Sequence, residues 1–218
     1  MILQALKEYY DRKAADPDSN IAPLGLEWKP LEFLIVIDNL GTFISIEDLR
    51  EKEGKKLQGK KFLLPRSLNR QGPKSYCITF LLWDHLGYLL GLPKEDPKAL
   101  KQHKKWKDSL TNLPDSLRKD SGVNAVLLFY KRGEIEKALK HELINECLKS
   151  IPCNMAFRIN TELMPIPSRP AVLNYAKSLL TVVDENQAYN IIGNCIISGE
   201  KDTILNKHGK TPINKDNN

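Results

Sequence analysis

Phe33-Leu34-Ile35-Val36-Ile37-Asp38-Asn39-Leu40-Gly41-Thr42-Phe43-Ile44-Ser45-Ile46 is the stretch on which the fold turns. Residues 34–38 and 42–46 are rich in β-branched and aromatic side chains, and Asn39-Leu40-Gly41 between them is turn chemistry. The pattern predicts a hairpin. Upstream, residues 1–15 place Ile2, Leu3, Leu6, Tyr9 and Tyr10 on one face at helical spacing, and Asp16-Pro17-Asp18-Ser19-Asn20 ends that helix. Downstream, residues 47–52 read as a short helical turn and 61–65 as a further strand. Arg66-Ser67-Leu68-Asn69-Arg70-Gln71-Gly72-Pro73-Lys74-Ser75 is a basic loop with little to bury. Residues 76–83 and 88–92 return to an apolar, aromatic pattern consistent with strands leaving that loop.

From residue 96 the period changes. Residues 96–113 form a basic amphipathic helix with Leu100, Trp106 and Leu110 as anchors. Residues 121–130 and 134–149 read as two more helices; in the second, Ile135, Leu139 and Leu143 step by four, followed by Cys147. Residues 154–160 predict a strand and 170–183 a helix with Pro170 in its first turn, where a missing N–H costs little. A short strand over 194–198 ends at Gly199. Strands cluster early and helices later. The expected class is therefore α+β, an N-terminal mixed sheet region with hairpins followed by a mainly helical region. The expected organisation is an α+β region over 1–95 carrying the basic loop, a mainly helical region with short strands over 96–213, and a frayed tail over 214–218, which has no apolar anchor.

At 218 residues and 41% hydrophobic content the chain has material for a sizeable core. No apolar run approaches the roughly 20 residues of a membrane helix. Met1-Ile2-Leu3-Gln4 runs into Lys7, Glu8 and Asp11, unlike a signal peptide, so the expected location is cytoplasmic. Cys77, Cys147, Cys153 and Cys195 contain no CxxC pair and are expected to be reduced, buried, small apolar residues.

Several motifs are incomplete. His141-Glu142-Leu143-Ile144-Asn145 has the outline of a zinc-protease helix, but that chemistry needs a second imidazole where Asn145 stands. A solvated helix face is the expectation. Gly209-Lys210-Thr211 ends like a phosphate loop but has Ile204 where the first glycine belongs. No cysteine has a sequence-adjacent base to make a thiolate. The histidines (His85, His103, His141, His208) are isolated. The acidic doublets Glu47-Asp48 and Asp184-Glu185 read as solvated turns rather than as converging carboxylates. No catalytic constellation emerges, so the expectation is a protein that is not an enzyme and uses no cofactor or metal.

The charge map is lopsided. Residues 51–107 carry 14 Lys and Arg against 5 Asp and Glu, a local excess of +9 in a chain whose net charge is +6. Lys55, Lys56, Lys60 and Lys61 flank Gly54 and Gly59, and Arg66, Arg70 and Lys74 follow on the loop with Asn69 and Gln71. Lys and Arg supply the phosphate contacts that dominate nucleic-acid affinity, Asn and Gln can read or displace bases, and Gly permits close approach to a sugar-phosphate chain. The bland alternative is a solubilising surface. Lys101, Lys104, Lys105 and Lys107 share one helix and read as its wet face.

Met1-Ile2-Leu3-Gln4-Ala5-Leu6-Lys7-Glu8-Tyr9-Tyr10-Asp11-Arg12, Ala15-Asp16-Pro17-Asp18 and Ile21-Ala22-Pro23 closely resemble the start of the type I-C CRISPR large-subunit family. Colinear matches continue through Phe33–Asp38 with Gly41, Asp48-Leu49-Arg50, Lys60-Lys61-Phe62-Leu63-Leu64-Pro65, Leu82-Trp83-Asp84 and Tyr88-Leu89-Leu90-Gly91. They end with Ala156-Phe157-Arg158, Arg169-Pro170-Ala171-Val172 and Cys195-Ile196-Ile197-Ser198-Gly199-Glu200. The family often has Asn after the Trp83-Asp84 pair, where this chain has His85.

The resemblance implies a large subunit of Cascade, the CRISPR RNA-carrying surveillance complex of antiviral defence. Family members are typically more than twice as long, so the chain is expected to be an N-terminal portion. The implied partners are target double-stranded DNA, CRISPR RNA, and Cas5-type and Cas7-type subunits. The implied role is inspection of the protospacer-adjacent motif on target duplex, with cutting left to a recruited helicase-nuclease. In that scheme Lys60, Lys61, Arg66, Arg70 and Lys74 grip phosphates while Asn69 or Gln71 reaches a groove edge or wedges at the first unpaired step, and guide pairing supplies most of the sequence information. Two other readings stand beside it: an assembly module that holds CRISPR RNA and the Cas5-type subunit without reading DNA, and a metal-dependent nuclease.

Overall fold

The structure is a computed structural model that describes residues 2–16, 19, 21–54, 56–150, 152–179, 188–195, 199 and 201–205. In chain order its elements are α1 (Ile2–Ala15), β1 (Leu26–Leu31), β2 (Phe33–Ile37), β3 (Phe43–Asp48), β4 (Glu51–Glu53), β5 (Lys56–Gln58), β6 (Lys60–Pro65), β7 (Trp83–His85), α2 (Leu86–Leu89) and α3 (Pro97–Thr111). There follow α4 (Asp115–Arg118), α5 (Ser121–Lys131), α6 (Ile135–Ala138), α7 (Ile144–Lys149), β8 (Asn154–Ile159), α8 (Pro170–Ser178), β9 (Ala188–Asn194) and β10 (Lys201–Leu205). Single 3₁₀ turns cover Ser75–Cys77 and Ile166–Ser168. The class is α+β, with the sheet region early and most helices later.

Two compact units make up the chain, one over residues 22–177 and one joining 1–21 to 178–218. The first is built on a four-stranded sheet of order β3-β2-β8-β7. β2 pairs antiparallel with β3, setting Ile35 opposite Ile46, and parallel with β8, setting Ile35 opposite Phe157. The unbroken run Phe33-Leu34-Ile35-Val36-Ile37 is what a strand covered on both faces requires, and all five residues are buried. Period-two alternation then sorts them. Phe33, Ile35 and Ile37, with Met155, Phe157 and Ile159 of β8, enter the large core against the helices. Leu34 and Ala156 face the other way, onto Leu31, Phe62, Leu64 and Trp83. β1 and β6, an antiparallel two-stranded ribbon, supply that second layer. The order is helices, sheet, ribbon.

The hairpin turn is locked by its first residue. Asp38 Oδ1 accepts from the Leu40 and Thr42 amides, each at 2.8 Å. Gly41 takes φ +76°, and a Cβ there would sit 2.5 Å from the Phe129 amide nitrogen of α5. Asp96 and Asp120 cap α3 and α5 by accepting from Lys98 N and from Gly122 and Val123 N. α3 buries Ala99, Gln102, Trp106 and Leu110, and the expected anchor Leu100 is 54% exposed. The position before Gln102 on the buried stripe is Ala99, so Leu100 falls on the outer face.

Other sequence readings are corrected. β3 extends to Asp48, and 51–58 forms a second hairpin, β4–β5, in place of a helical turn. β1 has no counterpart among the expected strands. Residues 86–89 are helical and 75–77 a 3₁₀ turn, so β7 is the only strand the structure forms between 76 and 92. The expected helix over 134–149 is two short helices with turns between them. Within that break the His141 ring packs edge-on against Phe43, centroids 5.8 Å apart. The HExxN stretch is therefore not one helix face. The boundary expected at 95/96 falls within one core, since α3, α5 and β8 pack with β2.

In the second unit α1 has no buried residue, and Ile2, Leu3, Leu6 and Tyr9 are all exposed. β9 and β10 pair antiparallel. The strand expected over 194–198 meets β9 only at Asn194; Ile196–Ser198, the end of the helix expected over 170–183, Asp184-Glu185, Gly209-Lys210-Thr211 and the tail 214–218 lie outside the described residues. Among the described residues no helix is long and apolar enough to cross a membrane.

Candidate nucleic-acid interface

The basic stretch is presented by three local devices. The first is the β4–β5 hairpin, in which Lys52 opposes Leu57 and Glu53 opposes Lys56. Lys52, Gly54, Lys56, Leu57 and Gln58 are all exposed, so side-chain burial contributes little here and the backbone ladder carries the hairpin. Its root is Gly59, where a Cβ would stand 2.3 Å from the Leu31 carbonyl oxygen. The close approach at Gly59 is made to the protein's own backbone, which corrects the expectation that this glycine opens the surface to a sugar-phosphate chain. Gly54 lies in open space at the tip. Lys55 lies outside the described residues.

The second device is β6. Lys60 is opposite Leu31 and Lys61 opposite Pro30, so the two lysines leave the ribbon on opposite faces. The Lys60 Nζ lies 5.8 Å from the centre of the Phe62 ring, and both lysines are exposed.

The third is the loop between Pro65 and Ser75. Arg66 continues the ladder by donating its amide to the Gly25 carbonyl at 2.9 Å, and Ser67 N donates to Glu27 Oε1 at 2.7 Å. Beyond them the loop is held mainly by Arg70, with the Tyr88 hydroxyl donating to the Ser75 carbonyl at 3.2 Å at its far end. Arg70 Nε donates to the Ile78 carbonyl at 2.9 Å, Nη1 to Asp84 Oδ1 at 2.8 Å, and Nη2 pairs with Asp84 Oδ2. Its guanidinium lies between the rings of Phe80, 3.6 Å from the centroid, and Tyr88, 4.1 Å. Arg70 is thus not a phosphate contact, as its charge suggests in the sequence; it is the loop's anchor. Asp84, fully buried, also accepts from Phe80 N and His85 N. Burial pushes the Asp84 carboxyl up, and the Arg70 guanidinium opposes that shift. The bend that brings Phe80 N to this carboxylate runs through Leu82, a buried residue at φ +62°. For a leucine that conformation costs about 1–2 kcal/mol.

His85, the departure from the resembled family, completes the anchor. Its Nε2 is 3.0 Å from Arg70 Nη1. Burial, reinforced by the charges of Arg70 and Lys98, holds the ring down at about 4, so it is neutral at pH 7 and can accept this bond. Its other side borders a cleft of about 410 Å³ that also touches Asp96, Lys98, Gln102, Cys147 and Cys153.

With Arg70 turned inward, Arg66, Asn69, Gln71 and Lys74 are exposed. None of Lys56, Lys60, Lys61, Arg66 or Lys74 makes an ion pair among the described residues. The Lys101 Nζ stands 5.8 Å from the ring of Tyr76, which brings one lysine of α3 to the end of the loop. The remaining α3 lysines face outward. The sequence pattern suggests one patch; the structure separates it. Lys60 and Arg66 stand at opposite ends of β6, about 20 Å apart at ~3.3 Å per residue.

The other side chains singled out in the sequence are structural. Glu47 accepts from Arg158 at 2.6 Å, and Asp48 forms a two-bond pair with Arg50, whose guanidinium covers the Phe33 ring at 4.6 Å. The Glu47-Asp48 doublet is therefore a pair of strand-borne arginine partners, not a solvated turn. Cys147 and Cys153 are buried neighbours whose contact, with burial, pushes the Cys153 thiol up; Cys77 and Cys195 are exposed, against expectation. Among the described residues no group of three or more His, Cys, Asp or Glu is placed to hold a metal ion.

Residues 6–217 match the model of a family of CRISPR-associated proteins, Cas_Csd1. The chain belongs to the Cas_Csd1 family. The match spans the sheet, the ribbon and the basic loop alike. No curated protein matches the chain.

Proposed function

We propose that this Cas_Csd1 protein is the N-terminal portion of the large subunit of a type I-C CRISPR surveillance complex, that it binds nucleic acid through the basic surface on β4–β6 and the following loop, and that it recognises the protospacer-adjacent motif on target duplex DNA. It acts by binding, not by catalysis, in the cytoplasm, with CRISPR RNA and Cas5-type and Cas7-type subunits as partners. The supporting observation is the Arg70 anchor. By spending one cation on Asp84 the chain fixes a short loop whose Arg66, Asn69, Gln71 and Lys74 all reach solvent. Phosphate contacts set register and polar side chains specify. The ~20 Å between Lys60 and Arg66 is the length of about six base pairs of duplex axis, so both ends of β6 can touch one backbone.

The test is made inside the assembled complex, on duplexes with and without the correct adjacent motif. Arg66→Ala with Lys74→Ala weakens both duplexes alike and lowers the steepness of the salt dependence by about one phosphate contact per residue. Asn69→Ala with Gln71→Ala narrows the difference between the two duplexes by about 1–3 kcal/mol. Unchanged affinity, salt slope and discrimination in all four positions would remove the loop from DNA recognition. The assembly reading draws on a different observation, the exposed Ile2, Leu3, Leu6 and Tyr9 of α1. It is the outcome if these loop variants are silent while α1 variants fail to enter the complex.

A further inference from the structure

The β1–β6 ribbon has two unlike faces. Leu31, Phe62 and Leu64 point inward onto Trp83, and Lys29 lies over the Trp83 ring at 5.9 Å. The register puts Leu26, Trp28 and Pro30 of β1 and Lys61, Leu63 and Pro65 of β6 on the opposite face. Leu26 and Pro65 are covered at one end, and the other end is open. There Trp28 is 41% exposed. It stands directly opposite Leu63 and diagonal to Lys61, within about 7–8 Å. Of the cations along β6, Lys61 shares the face of Trp28, while alternation puts Lys60 and Arg66 on the other face. A tryptophan at the centre of an open sheet face costs hydrophobic free energy in water unless something covers it.

The chemistry of the face selects the cover. None of its six side chains is a carboxylate, Lys61 makes no ion pair among the described residues, and the nearby Glu27 points inward, accepting from Ser67 N. Protein-binding surfaces deplete lysine around their aromatic centres. A flat aromatic ring with a lysine beside it on an extended strand is instead what an unpaired nucleic-acid strand needs: a π surface for a base and positive charge for the adjacent phosphate. A base held inside a duplex has no free face to offer.

We infer that the outward face of the β1–β6 ribbon is a stacking platform for single-stranded nucleic acid, with a base on Trp28 and the adjacent phosphate on Lys61. This rests on the nucleic-acid reading above and adds to it the form of the ligand, an unpaired segment as opposed to duplex. The platform and the loop are separable, because Trp28 lies on β1 and contributes nothing to the Arg70 anchor.

The chain reports on this site itself. Of its three tryptophans, Trp83 and Trp106 are fully buried, so exposed-tryptophan fluorescence comes from Trp28. Titrating the whole chain with a short oligodeoxythymidylate quenches that emission and shields it from acrylamide. Trp28→Ala removes the response and weakens oligodeoxythymidylate binding by about 5- to 150-fold, and Trp28→Phe restores a large part of it. Lys61→Ala weakens binding less and flattens its salt dependence. Duplex binding changes little in the Trp28 variants, whereas Arg66→Ala with Lys74→Ala reduces it. Failure of the platform and failure of the duplex reading are therefore distinguishable. Matched melting curves for Trp28→Phe and the parent show that the ribbon is intact. The inference is overturned if the oligonucleotide leaves Trp28 emission and acrylamide access unchanged, or if Trp28→Ala binds it as the parent does. It is equally overturned if the variant's only defect is loss of self-association or of contact with another protein subunit.

Discussion

β2–β3 and β4–β5 are consecutive antiparallel hairpins with different physics. Every residue of β2 is buried, its two faces serve two cores, and its turn is pressed against α5 at Gly41. In β4–β5 the strands are three residues long and the side chains described are exposed. A two-stranded ribbon with no buried face is marginal in water, and this one is held by its root at Gly59. The chain thus separates stability from presentation within 26 residues, Phe33 to Gln58. The basic loop after β6 goes further and replaces a ladder with one buried ion pair.

Breaking that contrast is the purpose of the first measurement. Phe33→Ala opens the core beneath β2 and removes the ring under Arg50, and denaturant unfolding should show a loss of about 3–5 kcal/mol. Leu57→Ser in β5 should stay within about 0.5 kcal/mol of the parent. A comparable loss at Leu57 would mean that the second hairpin is packed after all. Next in size is the loop anchor. Arg70→Ala strands the Asp84 carboxylate in a dry site and should cost about 3 kcal/mol, whereas Arg70→Ala combined with Asp84→Leu should recover part of it. An additive double variant would show that the two side chains do not work as a pair.

The smallest effect is a pH dependence at His85. Its pKa is about 4 in the folded protein against an ordinary 6.5 in the unfolded chain, so the unfolded state takes up the proton first. Its contribution to stability is complete above about pH 6.5 and is lost as pH falls toward 4. Because the side chain is 40% exposed, solvent screening leaves on the order of 1 kcal/mol. His85→Asn should flatten the unfolding free energy across that window, measured at several pH values. An unchanged acid limb would show that the ring titrates freely.

Much of this architecture was legible. The hairpin at 33–48, β6, α3, α5 and β8 all carry long or strongly patterned apolar spacing, and burial follows it. The misses share a cause: tertiary partners that local spacing does not encode. β1 was unreadable because Glu-Trp-Lys-Pro looks polar, yet Lys29 lies over a buried ring and Glu27 is tied to the loop amide. Residues 86–89 are too short an apolar run to tell helix from strand. The period of four over 135–147 was real, but His141 docks on Phe43 and breaks the helix. In the candidate site the stretch was recognisable by charge alone, and the exposure of Arg66, Asn69, Gln71 and Lys74 suits that reading. Arg70 reads as a free cation in the sequence because its carboxylate is fourteen positions away and nothing local marks Asp84 as buried. The spread of cations over β6 was hidden for the same reason, since a list of charges has no distances.

The inward turn of Arg70 has an evolutionary consequence. A loop fastened by one internal clasp behaves as a cassette: Asn69 and Gln71 flank the clasp without taking part in it, so they can be exchanged without refolding the platform beneath. Under the proposed DNA-reading role, swapping these two polar side chains would change the recognition preference while Arg70, Asp84 and the aromatic pair stay as they are.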